Sequence, residues 1–336
     1  MLVVLLIWAA SRCGSDDGAS PDTTAKGGVT TTTTPGGTTA STAAPTAPLS
    51  VKVESLPRKL PSAHYQTGAA AIGGRVVLIG GLDSTKASTS VVWRFDPTTG
   101  ATQDLGRTPR ALHDAAVAAV GSSVFAFGGG EGNTAFDSVL VLKPDAANAV
   151  NLAGAKLPSP RSGAVAVTVE GGAKAVIVGG SNGSTPTNEV LVTTDGATFT
   201  PVAVLAEPVR YPAVAAVGST VWVFGGIWGN ESSPSIQKID LTTGQASVVG
   251  QLPAPLSRAS AFVLDGSVFI AGGRNANGRT ADILRFDPES LASTPVAKLP
   301  QPITDVPAAV VGSTAYLLGG ATPTASSTVV AISPGP

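Results

Sequence analysis

The sequence predicts an all-β chain built from six copies of one four-stranded unit. The first observation is an apolar strand ending in paired glycines: "VVLIGG", "VFAFGG", "AVIVGG", "VWVFGG", "VFIAGG" and "AYLLGG". Their first glycines, at 80, 128, 179, 225, 272 and 319, are separated by 48, 51, 46, 47 and 47 residues, and a period near fifty marks a repeat architecture. The second is composition: 40 Gly and 26 Pro in 336 residues, with 13% charged residues, suit short strands and tight turns better than helices. The third is a displaced ending. The last copy stops without a fourth strand, while "SVKVESLP", Ser50 to Pro57, reads as the end of a unit with no beginning.

Each unit opens with a hairpin around a Gly-containing turn, as in "AAVAAVGSSVFAFGG" and "PAVAAVGSTVWVFGG". The paired glycines close its second strand, where positive φ and close chain approach are needed. A polar loop, a third strand such as "VVWRFD" or "DILRFD", a turn such as "DPTTG" or "DLTTG", and a short strand leading to "LP" complete the unit. The sixth copy has its hairpin at Val306 to Gly320 and a third strand at Ser327 to Ser333. The segment from Ser50 is therefore expected to supply its fourth strand, since "VKVESLPRKLP" matches the endings "AVNLAGAKLP" and "PVAKLPQP".

The glycine pair, the "FDPTTG" turn and the "LPSPRSG" stretch resemble the kelch repeat. The resemblance covers Ser50 to the C-terminus and implies a six-bladed kelch-type β-propeller, its ring closed by an N-terminal strand completing the last blade. The aromatic common after the turn is retained only at Phe199, with Thr102 and Ser247 near that place elsewhere.

Ahead of the repeats, "MLVVLLIWAA" is too short to span a bilayer and has the size of a signal-peptide apolar region. Cys13 and "CGSDDGAS" follow, resembling the start of a bacterial lipoprotein, with Arg12 where lipoproteins carry a small residue. The expected organisation is a signal peptide over 1–12, a lipidation site at Cys13, a disordered Thr/Gly/Pro-rich tether to residue 49, and the propeller over 50–336. This places the protein outside the cytoplasm, anchored to the cell membrane by lipid, with a secreted form as the alternative. A net charge of −1 without a basic cluster argues against nucleic acid. One cysteine excludes a disulfide framework and a Cys-rich metal site. A monomer is expected.

Candidate chemistry is sparse. "GEGNTA", Gly130 to Ala135, mimics a dinucleotide fingerprint but precedes no helix, and "TTDGATF", Thr193 to Phe199, mimics a sialidase Asp-box but falls on a strand-to-strand turn; both read as blade loops. Copper chemistry of the galactose oxidase type is excluded, because it needs a tyrosine–cysteine crosslink and Cys13 lies outside the repeats. His64 and His113 precede the inner strands of adjacent blades, with Asp114 nearby in sequence, and a metal would still want at least one more well-placed ligand. No metal or cofactor is expected.

The stronger pattern is Arg110, Arg161, Arg210 and Arg258, recurring before the inner strands of blades two to five, with Asp305 in blade six. Strand alternation puts these lead-ins on the face of the loops carrying Asp83, Asn133, Asn182, Trp228, Asn230, Asn275 and Asn277. Guanidinium forks, amides and an indole suit carboxylates and sugar hydroxyls. The expected function is a cell-envelope-anchored binding module presenting this face to a protein or glycan. The alternative is a carbohydrate-active enzyme similar to the kelch mutarotase of sialic acid.

Overall fold

The computed structural model describes residues 50–145 and 150–335. The apolar run at residues 1–10, Cys13 and the tract over 14–49 lie outside the described residues. Six four-stranded antiparallel sheets form the blades. From the inside outward, blade 1 is Gly68–Ile72, Arg75–Ile79, Thr89–Asp96 and Ala101–Leu112; blade 2 is Ala116–Val120, Ser123–Phe127, Ser138–Leu142 and Val150–Lys156. Blade 3 comprises Val165–Val169, Lys174–Val178, Glu189–Thr193 and Thr200–Val204, and blade 4 comprises Ala213–Val217, Thr220–Phe224, Ser235–Asp240 and Gln245–Gln251. Blade 5 runs through Ser260–Leu264, Ser267–Ala271, Asp282–Phe286 and Ser293–Lys298. Blade 6 joins Ala308–Val311, Thr314–Leu318 and Val329–Pro334 to Val51–Ser55, with Val51 opposite Pro334 and Ser55 opposite Val330. Each inner strand touches those of its two neighbours, the sixth meeting the first.

Six hydrophobic clusters fill the wedges between successive blades, and the period-two pattern of the strands builds them. In Ser123–Phe127, Val124 and Ala126 pack toward blade 1 while Phe125 and Phe127 pack toward blade 3. Both faces are buried, so the strand reads as a continuous apolar run. Val76, Leu78, Trp93 and Phe95 of blade 1 meet Ala309, Leu318 and Val329 of blade 6, which closes the circle of clusters. Phe199, the retained aromatic, meets Phe127 edge-on with centroids 5.8 Å apart.

The paired glycines have a specific partner. The second glycine of each pair donates its N–H to a carbonyl on the lead-in of the next blade: Gly81 to Leu112, Gly129 to Arg161, Gly180 to Val209, Gly226 to Leu256, Gly273 to Ile303 and Gly320 to His64, at 2.8 to 2.9 Å. A Cβ on the first glycine would collide with that same oxygen in all six cases. The first glycines also hold φ between +56° and +76°, so sterics and backbone conformation both require glycine there. The last of these clasps joins blade 6 to blade 1.

Candidate binding site at the channel mouth

One residue further along each lead-in, the chain pairs with the residue after its own blade's glycines: Tyr65 with Leu82, His113 with Gly130, Ser162 with Ser181, Arg210 with Ile227, Ser257 with Arg274 and Thr304 with Ala321. This puts lead-ins and polar loops on one face. The next residue of each lead-in turns into the channel. These six residues, Gln66, Asp114, Gly163, Tyr211, Arg258 and Asp305, all adopt the left-handed conformation, with φ from +54° to +68°.

Their backbones form a closed cycle. Asp114 N–H donates to Gln66 O, Gly163 to Asp114, Tyr211 to Gly163, Arg258 to Tyr211, Asp305 to Arg258 and Gln66 back to Asp305, at 2.7 to 3.0 Å. Left-handed backbone costs a non-glycine residue about 1–2 kcal/mol, and the cycle holds five such residues in place. Strain of this kind concentrates at binding and catalytic sites. The ring frames a cavity of ≈ 200 Å³, whose deeper wall is Thr67, Gly68, Ala69, Ala116 and their equivalents.

The ring's side chains make a polar arc across this cavity. Tyr211 Oη donates to Asp114 Oδ2 at 3.0 Å, passing from blade 4 to blade 2. It crosses blade 3 at Gly163, where a Cβ would sit 2.7 Å from the tyrosine ring. The Arg258 guanidinium stacks on the other side of the arc, 3.9 Å from the Tyr211 centroid, and is paired with Asp305 Oδ1 at 2.6 Å. Thr304 Oγ1 donates to Asp305 Oδ2 at 2.7 Å.

Electrostatics follow from this crowding. Burial, reinforced by the Asp305 charge and opposed by Arg258 and the Tyr211 hydroxyl, pushes the Asp114 carboxyl up to about 7. Burial and the Asp114 charge raise the Tyr211 phenol as well. Tyr65 is raised by burial and by Asp305 and Asp114. Burial lowers both histidines, which favours the neutral ring at His113, whose Nε2 lies 3.9 Å from Asp114 Oδ2. Its Nδ1 lies 2.8 Å from Ser88 Oγ. His64 is buried edge-on against Trp93, with centroids 4.8 Å apart. Among the described residues no three His, Cys, Asp or Glu side chains gather as a metal site.

The four arginines do not converge. Arg258 alone belongs to the mouth ring, and Arg210 stands one residue earlier, 5.7 Å from the Tyr211 ring centroid. Arg161 stands at the glycine-clasp position, which Leu112, Val209, Leu256 and Ile303 occupy in other blades. It is fully buried, bonding Glu189, Ser159 and the Gly179 carbonyl. Arg110 lies two residues ahead of the clasp position, stacked 3.3 Å over Phe136 and bonded to Ser138 at 2.6 Å. A drift of one or two residues in the lead-in thus sends each guanidinium into a different layer.

The loops around the mouth divide in two. Blades 2, 4 and 5 carry two-residue hairpins, Gly130–Glu131 with Thr134–Ala135, Ile227–Trp228 with Glu231–Ser232, and Arg274–Asn275 with Gly278–Arg279. Trp228 is 52% exposed on the second, beside Asn230 at its tip, and Asn133 is exposed on the first. Asp83 of blade 1 and Asn182 of blade 3 use their side-chain oxygens to accept N–H groups of their own turns, as Asn275 does within the blade 5 hairpin. The "GEGNTA" stretch is the blade 2 hairpin. In "TTDGATF", Asp195 accepts the Thr198 and Ala197 N–H groups, which bring its carboxyl down to about 2; this is a turn.

The sequence expectations omitted Tyr211, Gln66 and Tyr65 and left Asp114 aside from the candidate set. The signal lay in aligning the lead-ins "YQTG", "HDAA", "SGAV", "RYPA", "SRAS" and "TDVP" on their inner strands, whose second column is the mouth ring.

Six glycine-clasped, four-stranded blades with a polar ring at one channel mouth define a repeat propeller. The kelch motif family model matches residues 63–101, in blade 1, and 255–300, in blade 5. Together with the six-blade arrangement, these matches support a kelch-repeat β-propeller. No curated protein matches the chain.

Proposed function

We propose that this protein is a binding module tethered to the cell envelope through Cys13, and that it receives a protein or glycan at the mouth face. Kelch propellers generally mediate protein interactions. The observation that supports this site is the closed ring of left-handed residues: it fixes polar side chains around an open cavity before any ligand arrives, and such preorganisation lowers the cost of binding. Exposed Trp228 on the neighbouring hairpin adds the kind of aromatic anchor that recognition surfaces favour. The test is retention of the partner captured from envelope extract. Trp228→Ala and Arg258→Ala are expected to weaken it at least tenfold, whereas Val248→Ala, on the outer strand of blade 4, leaves it unchanged. Equal retention by all three excludes the mouth face.

A second reading, a sugar-modifying enzyme, is favoured by one observation. Asp114 is a buried carboxyl titrating near neutrality beside a phenol, the property of a general acid or base. Acceleration of sugar-anomer exchange in NMR spectra, abolished by Asp114→Asn, would establish it.

A further inference from the structure

We propose that the mouth cavity receives a primary ammonium group on a narrow alkyl stem, the chemistry of a lysine side chain on a partner protein, with Asp114 as its counter-ion. This inference rests on the mouth being the binding site. It follows from the charges on the ring. Asp114 has a side chain only 6% exposed, lines the cavity, and accepts one hydrogen bond, from Tyr211. A carboxylate has about four acceptor positions, so most of its capacity is unused.

The one cation of the mouth ring is otherwise engaged. Arg258 of blade 5 is bound to Asp305 of blade 6 and stacked on Tyr211. Arg210 of blade 4, 5.7 Å from the Tyr211 ring centroid, adds only the smallest of the influences on the Asp114 carboxyl, and Tyr65 of blade 1 brings no positive charge. At His113 of blade 2 burial disfavours the charged ring. A ligand carboxylate would meet Asp114 and Asp305 together. An ammonium group would supply three donors and the missing charge. The surrounding Gly68, Ala69, Ala115 and Ala116 leave room for a slender stem.

The same geometry dictates a pH dependence. Asp114 titrates at about 7, while an aliphatic ammonium stays charged to about pH 10. Affinity should therefore rise about tenfold from pH 6 to pH 8, following the ionised fraction of the carboxyl.

The experiment uses the full chain and three probes: Nα-acetyl-lysine methylamide and the corresponding norleucine and glutamate derivatives, titrated calorimetrically at pH 6 and pH 8. The expected result is that the lysine probe alone binds, tightens with pH, and loses at least tenfold affinity in Asp114→Asn. Thermal melting and the retained Tyr211 environment report whether that variant is folded; Asp114→Glu, which keeps the charge, should retain the preference for lysine. Norleucine or glutamate binding as well as lysine, or Asp114→Asn binding lysine unchanged, would overturn the inference. So would the absence of binding by all three probes. Loss of the envelope partner on substitution of Trp228 or Arg258 would still stand in those cases, so failure of the ammonium assignment is distinguishable from failure of the mouth as a site.

Discussion

Tyr211 of blade 4 reaches Asp114 of blade 2 because Gly163 of blade 3, between them, has no side chain. Gly163→Ala should displace the tyrosine and force alanine into φ near +68°, at a cost of about 1–3 kcal/mol. Tyr211→Phe should cost less, about 1 kcal/mol. Because the alanine already breaks the hydrogen bond, the double variant should cost less than the sum of the two. Urea unfolding of the four proteins measures this, and strict additivity would show that Gly163 does not position Tyr211.

The elevated Asp114 carboxyl has a defined sign in stability. The folded state keeps a proton that the unfolded chain releases near the ordinary value of 3.8. Stability from this group is therefore greatest below about pH 4 and is lost as pH rises toward 7. Asp114→Asn should lack that decline. Urea midpoints at several pH values across this window, compared between wild type and variant, test it; parallel curves would contradict the assignment.

Arg161 and Arg258 should separate cleanly. Arg161→Leu places at the clasp position the residue that Leu112 and Leu256 provide elsewhere, whereas Arg161→Ala opens a cavity. The leucine variant should be the more stable by about 2 kcal/mol or more, and neither should alter partner affinity when folded. Guanidinium denaturation with a binding assay checks both. A folded Arg161 variant that loses the partner would return this residue to the binding site.

The closing strand carries a further prediction. Val51 and Val53 pack on the cluster between blades 5 and 6, and Leu56 N–H donates to Val329 O at 2.8 Å. Removing residues 1–57 should expose Val329–Pro334 as an unpaired edge and lower the melting temperature or cause aggregation. Removing residues 1–49 leaves every one of these contacts in place and should preserve melting. Equal melting of the two forms would show that Val51–Ser55 does not stabilise the ring.

The blades were legible because one constraint recurs six times. Every glycine pair must wrap a carbonyl of the next blade, so the pairs survive as a visible period even where the neighbouring residues vary. The mouth ring was harder to see. Its column holds Gln66, Asp114, Gly163, Tyr211, Arg258 and Asp305, which share no chemistry; what they share is a positive φ that five non-glycine residues adopt under tertiary constraint. The recurrence of the arginines is approximate. Side chains at successive lead-in positions point into different layers, so Arg161 belongs with Leu112 and Val209, and only Arg258 with the mouth. Contacts such as Tyr211 with Asp114 join residues 97 apart and leave no local pattern.

Site-specific photo-crosslinking in the intact envelope tests the central claim most directly. A photoreactive residue would be placed singly at Asn133, Trp228 and Asn277 around the mouth, and at Thr98 and Thr242 in the outer turns. If the mouth ring is the binding site, the mouth positions should capture one common partner and the outer turns none. Capture confined to Thr98 or Thr242, with the mouth positions silent in folded protein, would contradict the account and move recognition to the outer edge of the blades.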